Sequence, residues 1–373
     1  MVNNILYIVP LELGSNSSKG VVKKIRQQTA QWQLNNRFVT VIYISNSVPT
    51  YNLLDNESWI SSHVPGKNFP SVYLNRIYST FEISKLIQEI KPELIYVRYS
   101  LYWPFSGLLY KTIKTVVEMN TNDLVEYKKS SNVFNFVYNK LRSYYFTTKN
   151  AAICVSPEIL NTLSNTKIPS ICLPNGADFS GEVKAVTYSD EKPRKKRVVF
   201  ISSPNQPWQG VDKILLLADI YVEYHFDIIG WDQGDYEDKI NVTFHGYLSE
   251  PDFKSIMHSA SYAIGPLALH RKSMNSTSAL KTSLYLQYNL PILQSYEEVG
   301  LVNDAILVIE NKEKNINDSS IKEINAFFEY WKTKNVDLDE VKKLVGIEKI
   351  EEERVKFFDS VYSGHYELIE SMS

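Results

Sequence analysis

The sequence is short of the features that mark several protein classes. Cysteine occurs only twice in 373 residues, at Cys154 and Cys172, each inside an apolar stretch. A disulfide framework is excluded as the source of stability, and both residues read as buried thiols of a reducing compartment. Glycine and proline, 14 and 15 residues, are too sparse for a collagen-like or low-complexity chain. Neither sign of charge dominates. With 40 Lys and Arg against 42 Asp and Glu the formal net charge is −2, so no overall field draws nucleic acid, and nucleic acid is not an expected partner. The one dense basic cluster is Arg194, Lys195, Lys196 and Arg197. No run reaches the ~18–20 apolar residues of a membrane span. The apolar run Ile5 to Val9 follows Met1 to Asn4 without the basic and long apolar regions of a secretory signal. It reads as a first strand, and a cytoplasmic location is expected. No Walker loop, G-x-G-x-x-G fingerprint or clustered His, Asp and Glu occurs, so neither a cofactor nor a metal is expected.

What is present is the composition of a globular protein, 44% hydrophobic and 22% charged, with a length that favours two domains. Short apolar runs alternate with helical periodicities at Ile5 to Val9, Val39 to Ile44, Leu94 to Val97, Val116 to Glu118 and Ala151 to Val155. Val21, Val22, Ile25, Thr29 and Trp32 share one helical face between the first two runs, as a crossover helix on a parallel sheet requires. After the polar stretch Gly181 to Lys196 the pattern restarts. Strands are predicted at Val198 to Ile201, Phe226 to Ile229, Val242 to Phe244, Tyr262 to Ile264, Pro291 to Leu293 and Ile306 to Ile309. The expected division is a first α/β domain over 1–180, a linker over 181–196, a second α/β domain over 197–345 and a final segment, 346–373. In that segment Ile350, Phe357, Phe358 and Val361 form an apolar stripe, so it should be a helix that returns to the first domain.

Open α/β sheets bind ligands beyond the carboxyl ends of their strands, and the candidate residues lie there. The loop Leu13 to Gly20, with Lys19 and Gly20 at its end, either offers backbone N–H groups to an oxygen-rich ligand or is a surface loop in which Ser17 or Ser18 caps the first helix. Arg98 and Glu118, with Asn120 beyond, either face a substrate or form a buried ion pair that orders the loops. Glu126 is a further acidic candidate.

The most specific text is Ser202 to Asp212, which contains Asn205, Trp208, Gln209 and Gly210. It resembles the strand, loop and helix of family-four glycosyltransferases with the GT-B fold, where a Trp-x-Gly-x-Asp sequence opens the first helix of the donor domain. Cys154 to Glu158, Leu173 to Asp178, Phe244-His245-Gly246-Tyr247, and Gly265 to Pro291 with Lys281 resemble further stretches of that family in the same order. The first half adds likenesses to the Tyr-x-Arg-Tyr and Glu-x-Asn stretches of bacterial polysaccharide glycosyltransferases. The resemblance implies two Rossmann-like, doubly wound domains facing a cleft, a nucleotide-sugar donor linked to UDP or GDP, and transfer with retention to a polysaccharide or lipid-linked glycan. It also implies the site. Lys281 and Arg271 would hold the diphosphate, the helix starts at Gly210 and Ser278 would add their dipoles, and His245, Gly246 and Tyr247 would lie beside the base. Glu118, Arg98, Lys19, Gly20 and Asn120 would face the acceptor, with Glu118 and Arg98 as the catalytic candidates. From the residues alone, Lys281 is either a phosphate ligand or a solvated helix lysine. His245 is either a ligand contact or a half-buried imidazole, and Trp208 either stacks on ligand or pads the helix start.

The chain departs from the family pattern at named positions. Leu284 stands where a Glu binds the donor ribose, and an unpaired hydroxyl there costs roughly 1–3 kcal/mol. No acidic residue occurs from Leu269 to Thr277. Ser202, Ser203 and Gln209 replace phosphate-binding cations, for which Arg271 or the Arg194 to Arg197 cluster would have to substitute. These departures raise an alternative, a non-catalytic glycosyltransferase-like subunit that supports an active partner. Lys128, Lys129, Lys140, Arg142 and Lys149 form a basic cluster that suggests peripheral membrane contact.

Overall fold

The computed structural model describes residues 1–14, 18–60, 69–100, 105–110, 112–126, 132–181, 183, 185–204, 206–234 and 236–365. The chain divides into two compact units, Met1–Gly176 with Ile347–Ser373, and Ala177–Gly346.

Unit 1 runs β1 (Asn4–Pro10), α1 (Ser18–Leu34), β2 (Phe38–Ile44), β3 (Glu57–Ile60), α2 (Phe69–Ile90), β4 (Leu94–Arg98), β5 (Lys114–Met119), α3 (Asp123–Glu126), α4 (Asn132–Thr147), β6 (Ala151–Cys154), α5 (Pro157–Asn161) and β7 (Ser170–Cys172). Its seven strands form one sheet in the order β3-β2-β1-β4-β5-β6-β7, parallel throughout. β1, β2 and β4 to β6 are almost wholly buried, and such continuous apolar runs are what a sheet covered by helices on both faces demands.

Unit 2 repeats the plan with β8 (Arg197–Ile201), α6 (Val211–Ile220), β9 (His225–Ile229), β10 (Val242–Gly246), α7 (Glu250–Ser259), β11 (Tyr262–Ile264), β12 (Ser276–Thr277), α8 (Leu280–Gln287), β13 (Ile292–Gln294), β14 (Glu297–Glu298), β15 (Ile306–Val308), α9 (Asp318–Trp331) and α10 (Leu338–Val345). Six strands pair in the order β10-β9-β8-β11-β13-β15, and β12 pairs separately with β14. In each sheet the strand order reverses beside the first strand, between β1 and β4 and between β8 and β11. Ligand crevices of open sheets form at such points.

The last helix, α11 (Ile347–Ser363), packs on unit 1 as its apolar stripe predicts. Phe358 meets Trp32 edge-on at 5.3 Å and Tyr96 at 5.0 Å between ring centroids. The sequence pattern did not reveal β3, a four-residue strand too short and too polar to show a period. Nor did it show that residues 185–196, read as linker, dock on unit 2. Arg194 is buried there and donates to the carbonyls of Trp331, Ser261, Asn289 and Lys334 and to Asn289 Oδ1. Burial pushes its guanidinium down to about 10. Cys154 and Cys172 face each other in the β6–β7 register as free thiols. Cys172 is half-buried rather than buried, because β7 is an edge strand. Burial pushes it up to about 11.

Candidate functional site

In unit 2 Gln209, Gly210, Arg271 and Lys281 gather beside the β8/β11 switch point. Gly210 separates a 3-10 turn, Pro207–Gln209, from α6. Its φ of +78° lies in the left-handed region, and a Cβ would come within 3.1 Å of Leu267 Cβ and 3.2 Å of Ala268 N. Glycine is required there for conformation and for close approach alike. The turn buries Gln209, whose Oε1 accepts from Lys281 Nζ at 2.8 Å. Lys281 also donates to Ile201 O, the last carbonyl of β8, at 2.6 Å. One turn along α8, the Tyr285 hydroxyl accepts from Ile201 N at 2.7 Å. The i, i+4 pair Lys281 and Tyr285 thus grips both peptide groups of Ile201. Two of the three ammonium hydrogens are engaged. The residue as a whole keeps partial exposure, yet desolvation lowers its ammonium to about 7.

The neighbouring candidates are differently disposed. Arg271, expected to hold a diphosphate, makes a bidentate pair with Asp212 at 2.8 and 2.9 Å and also binds Glu313 and Pro207 O. Two carboxylates neutralise it and raise its pKa further. In the Arg194 to Arg197 cluster the two arginines are likewise spent, while Lys195 and Lys196 are exposed. Arg194 is buried among carbonyls, and Arg197 is bidentate to the buried Asp227 at 2.6 and 3.0 Å. Ser278 is buried in contact with Glu298. Glu298 accepts from Ala279 N and from Thr282 Oγ1, each at 2.7 Å. The start of α8 therefore already holds a carboxyl group of this chain, which burial pushes up to about 8 against the pull of its Thr282, Ala279, Tyr296 and Ser278 donors. Leu284 packs against the unit 2 core.

His245 is the bulged residue of β10, where the register shifts between Phe244 and Gly246, and its Nε2 lies 2.8 Å from Asp227 Oδ1. Gly246 has a φ of +58°, and a Cβ would meet Asp232 Oδ1 at 2.5 Å. Tyr247 is exposed just beyond. The Trp208 indole donates to Gln206 Oε1, and Lys272 Nζ lies 4.5 Å from its ring centroid. Asn205 lies outside the described residues.

In unit 1, Glu118 is fully buried and accepts from Tyr7 at 2.7 Å, Lys24 at 2.9 Å and Arg98 at 3.3 Å. Burial alone would raise its pKa; the Lys24, Arg98 and Arg354 cations outweigh burial and hold the carboxyl well below the usual range. Lys24 also donates to Asn120 Oδ1 at 2.9 Å, while the buried Asn120 Nδ2 has no partner. Arg98 keeps about a fifth of its side chain exposed. Behind this cluster Arg354 joins Glu351 and Tyr96, at 2.8 and 2.7 Å. Sequence reasoning missed Lys24, Tyr7 and Arg354. The available signal was Lys24 and Gln28, an i, i+4 pair on the buried side of α1. Lys19 and Gly20 are exposed in the first turn of α1, and no atom lies within 4 Å of a Cβ built at Gly20. Ser15 to Ser17 lie outside the described residues. Glu126 is exposed at the end of α3.

Two residues of the basic cluster are not at the surface. Arg142 is buried against Asp123 at 2.7 Å and Lys149 is buried between tyrosines. Lys140 is exposed, and Lys128 and Lys129 lie outside the described residues. The cluster was read from charge alone as a membrane contact, but Arg142, on α4, and Lys149, two residues beyond its end, are both buried. Among the described residues no group of His, Cys, Asp and Glu comes together that could hold a metal, and no helix is long and apolar enough to cross a membrane.

No family model matches the sequence, and no curated protein matches it. Solved structures do match. Sucrose-phosphate synthase from Thermosynechococcus elongatus has a TM-score of 0.71 at 12% identity, covering 97% of this chain and 100% of that one. The lipopolysaccharide outer core galactosyltransferase WaaB gives 0.59 at 12% over 97% and 100%. The pneumococcal O-GlcNAc transferase GtfA, solved with UDP and GlcNAc, gives 0.58 at 9% over 96% and 99%. The protein has the GT-B fold of these glycosyltransferases. Identity this low speaks to the fold, and the chemistry has to be argued from the site.

Proposed function

We propose that this protein is a glycosyltransferase that moves a sugar from a UDP- or GDP-linked donor to a polysaccharide or lipid-linked glycan, with retention and without a metal. The observation that carries the reading is Lys281 at the carboxyl end of β8, held by Gln209 and Ile201 O with one ammonium hydrogen left to donate. Such a group neutralises a departing diphosphate in the place where an α/β sheet receives ligands. Catalysis is then mostly electrostatic, and the leaving phosphate takes the proton of the acceptor hydroxyl. In unit 1 the partly exposed Arg98 and the unpaired Asn120 Nδ2 offer donors to the acceptor, while Glu118 holds them in place. A cytoplasmic site at the membrane face suits a lipid-linked acceptor. Leu74, Tyr78 and Phe81, spaced i, i+4, i+7 on α2, are exposed, as are Phe105 and, on α4, Phe136, Val137 and Tyr144. Apolar side chains on an outer face favour peripheral contact.

A second reading, a non-catalytic subunit, draws on Leu284 packed into the core, Arg271 neutralised by two carboxylates and Glu298 occupying the start of α8. A thermal-shift screen against UDP, GDP, CDP and their common sugar conjugates, repeated with Lys281→Ala, separates the two. A shift with one nucleotide that the variant loses supports the donor site; no shift with any of them makes the subunit the leading reading.

A further inference from the structure

We infer that unit 1 carries a second ligand site, for a small phosphate-bearing molecule, in a cavity between the amino end of β5 and the carboxyl end of α4. The cavity measures about 470 Å³, within the range of small-molecule sites. It lies at the opposite ends of the strands from Glu118 and is independent of the donor reading.

Lys149 is the central group. It is buried, with its ammonium 3.5 Å from the Tyr110 ring centroid and 3.9 Å from that of Tyr145. Among the described residues its one hydrogen bond from Nζ goes to Thr148 Oγ1, at 2.8 Å, and no carboxylate pairs with it. Capping of α4 does not use this amine. Tyr144 O accepts from Thr147 Oγ1, Tyr145 O accepts from Thr148 N and Oγ1, and Phe146 O accepts from Lys149 N. Beyond that bond the ammonium meets only the two ring faces, which attract a cation but carry no charge, so it is buried without an anion, a costly arrangement unless one binds.

The rest of the lining has the same character. The Tyr110 hydroxyl is buried and unpartnered. Asn150 uses Oδ1 to accept from Thr115 N at 2.8 Å and has its amide NH2 left to donate. Lys114 adds a second ammonium, and among the described residues no Asp or Glu lines the cavity. Two cations with two neutral donors match a phosphate monoester, which carries up to two negative charges on three outer oxygens. Burial holds the Lys149 ammonium well below its ordinary pKa, and a bound dianion restores its charge.

The test is a thermal-shift titration of the full chain at constant ionic strength with inorganic phosphate, glucose 6-phosphate and glucose. Saturable rises of about 2–4 °C are expected with the two phosphates at roughly tenfold over Kd, and none with glucose. Tighter binding of the sugar phosphate than of inorganic phosphate assigns part of the cavity to the organic body; equal binding assigns the site to the phosphate group alone. Lys149→Met abolishes the shift and Lys281→Ala keeps it. If Lys149→Met does not fold, Tyr110→Phe, which keeps the ring and removes one donor, weakens binding several-fold. The proposal is overturned by no saturable shift up to ~20 mM phosphate, by an equal shift with glucose, or by a shift that survives Lys149→Met and vanishes in Lys281→Ala.

Discussion

Lys281 and Gln209, 72 positions apart in sequence, share a 2.8 Å hydrogen bond at the carboxyl end of β8. The contact joins the turn before α6 to the first turn of α8, and everything expected of a donor site in unit 2 depends on it. Replacing Lys281 with Ala is expected to abolish the nucleotide-dependent thermal shift. Gln209→Ala, which leaves the ammonium but frees it to move, should weaken nucleotide binding by about 1–2 kcal/mol in titration calorimetry.

The same lysine sets a pH dependence. Burial lowers its pKa to about 7 in the folded protein, below the ordinary value near 10.4, so the free protein loses the charge as pH rises through 7. An anionic nucleotide binds the protonated form. Affinity should be flat below pH ~6 and fall up to tenfold per unit above pH ~7, the limit for one linked proton. Calorimetric Kd values at pH 6, 7 and 8 check this, and an affinity unchanged across that range would remove Lys281 from the site.

Gly210 controls whether the turn can form. Gly210→Ala places a Cβ against Leu267 at a φ of +78°, with an expected loss of about 1–3 kcal/mol. Because the turn positions Gln209, the variant should lose nucleotide affinity as well as stability. Urea unfolding and calorimetry on the same sample measure the two effects.

Glu118 tests the cluster in unit 1. Glu118→Gln leaves Lys24 and Arg98 without their counter-charge, and a loss of about 3–5 kcal/mol is expected for breaking such a buried pair from one side. Its folded pKa is depressed, so its contribution is complete above the ordinary carboxylate value and declines as pH falls below it. Denaturant midpoints of the wild type should fall between pH 5 and pH 3 more steeply than those of Glu118→Gln.

Leu284→Glu asks whether the missing ribose carboxylate can be restored. Leu284 packs on the unit 2 core, and a carboxylate there is expected to destabilise the fold by about 1–3 kcal/mol. A stable variant with tighter nucleotide binding would instead show that the position faces ligand.

Periodicity made most of the fold legible before any coordinates. The runs at Ile5, Val39, Leu94, Val116 and Ala151 became β1, β2, β4, β5 and β6, because strands covered on both faces are apolar along their length whatever their neighbours. The final helix was legible for a similar reason: Ile350, Phe357, Phe358 and Val361 repeat at the helical period and need a partner. What those patterns do not carry is which polar groups meet. Arg271 and Lys281 look alike in sequence as cations of one segment. Only the approach of Asp212 and Glu313 makes the first a neutralised strut, while Gln209 and Ile201 O leave the second with a hydrogen to give. Lys24 passed unnoticed in the sequence and Lys149 was read into a basic cluster, yet both are buried, the first beside Glu118 and the second between two tyrosine rings. Burial of apolar surface is additive along the chain and shows in its period. Pairing of charge depends on a few ångströms between residues far apart in sequence, and that was decided by the tertiary structure alone.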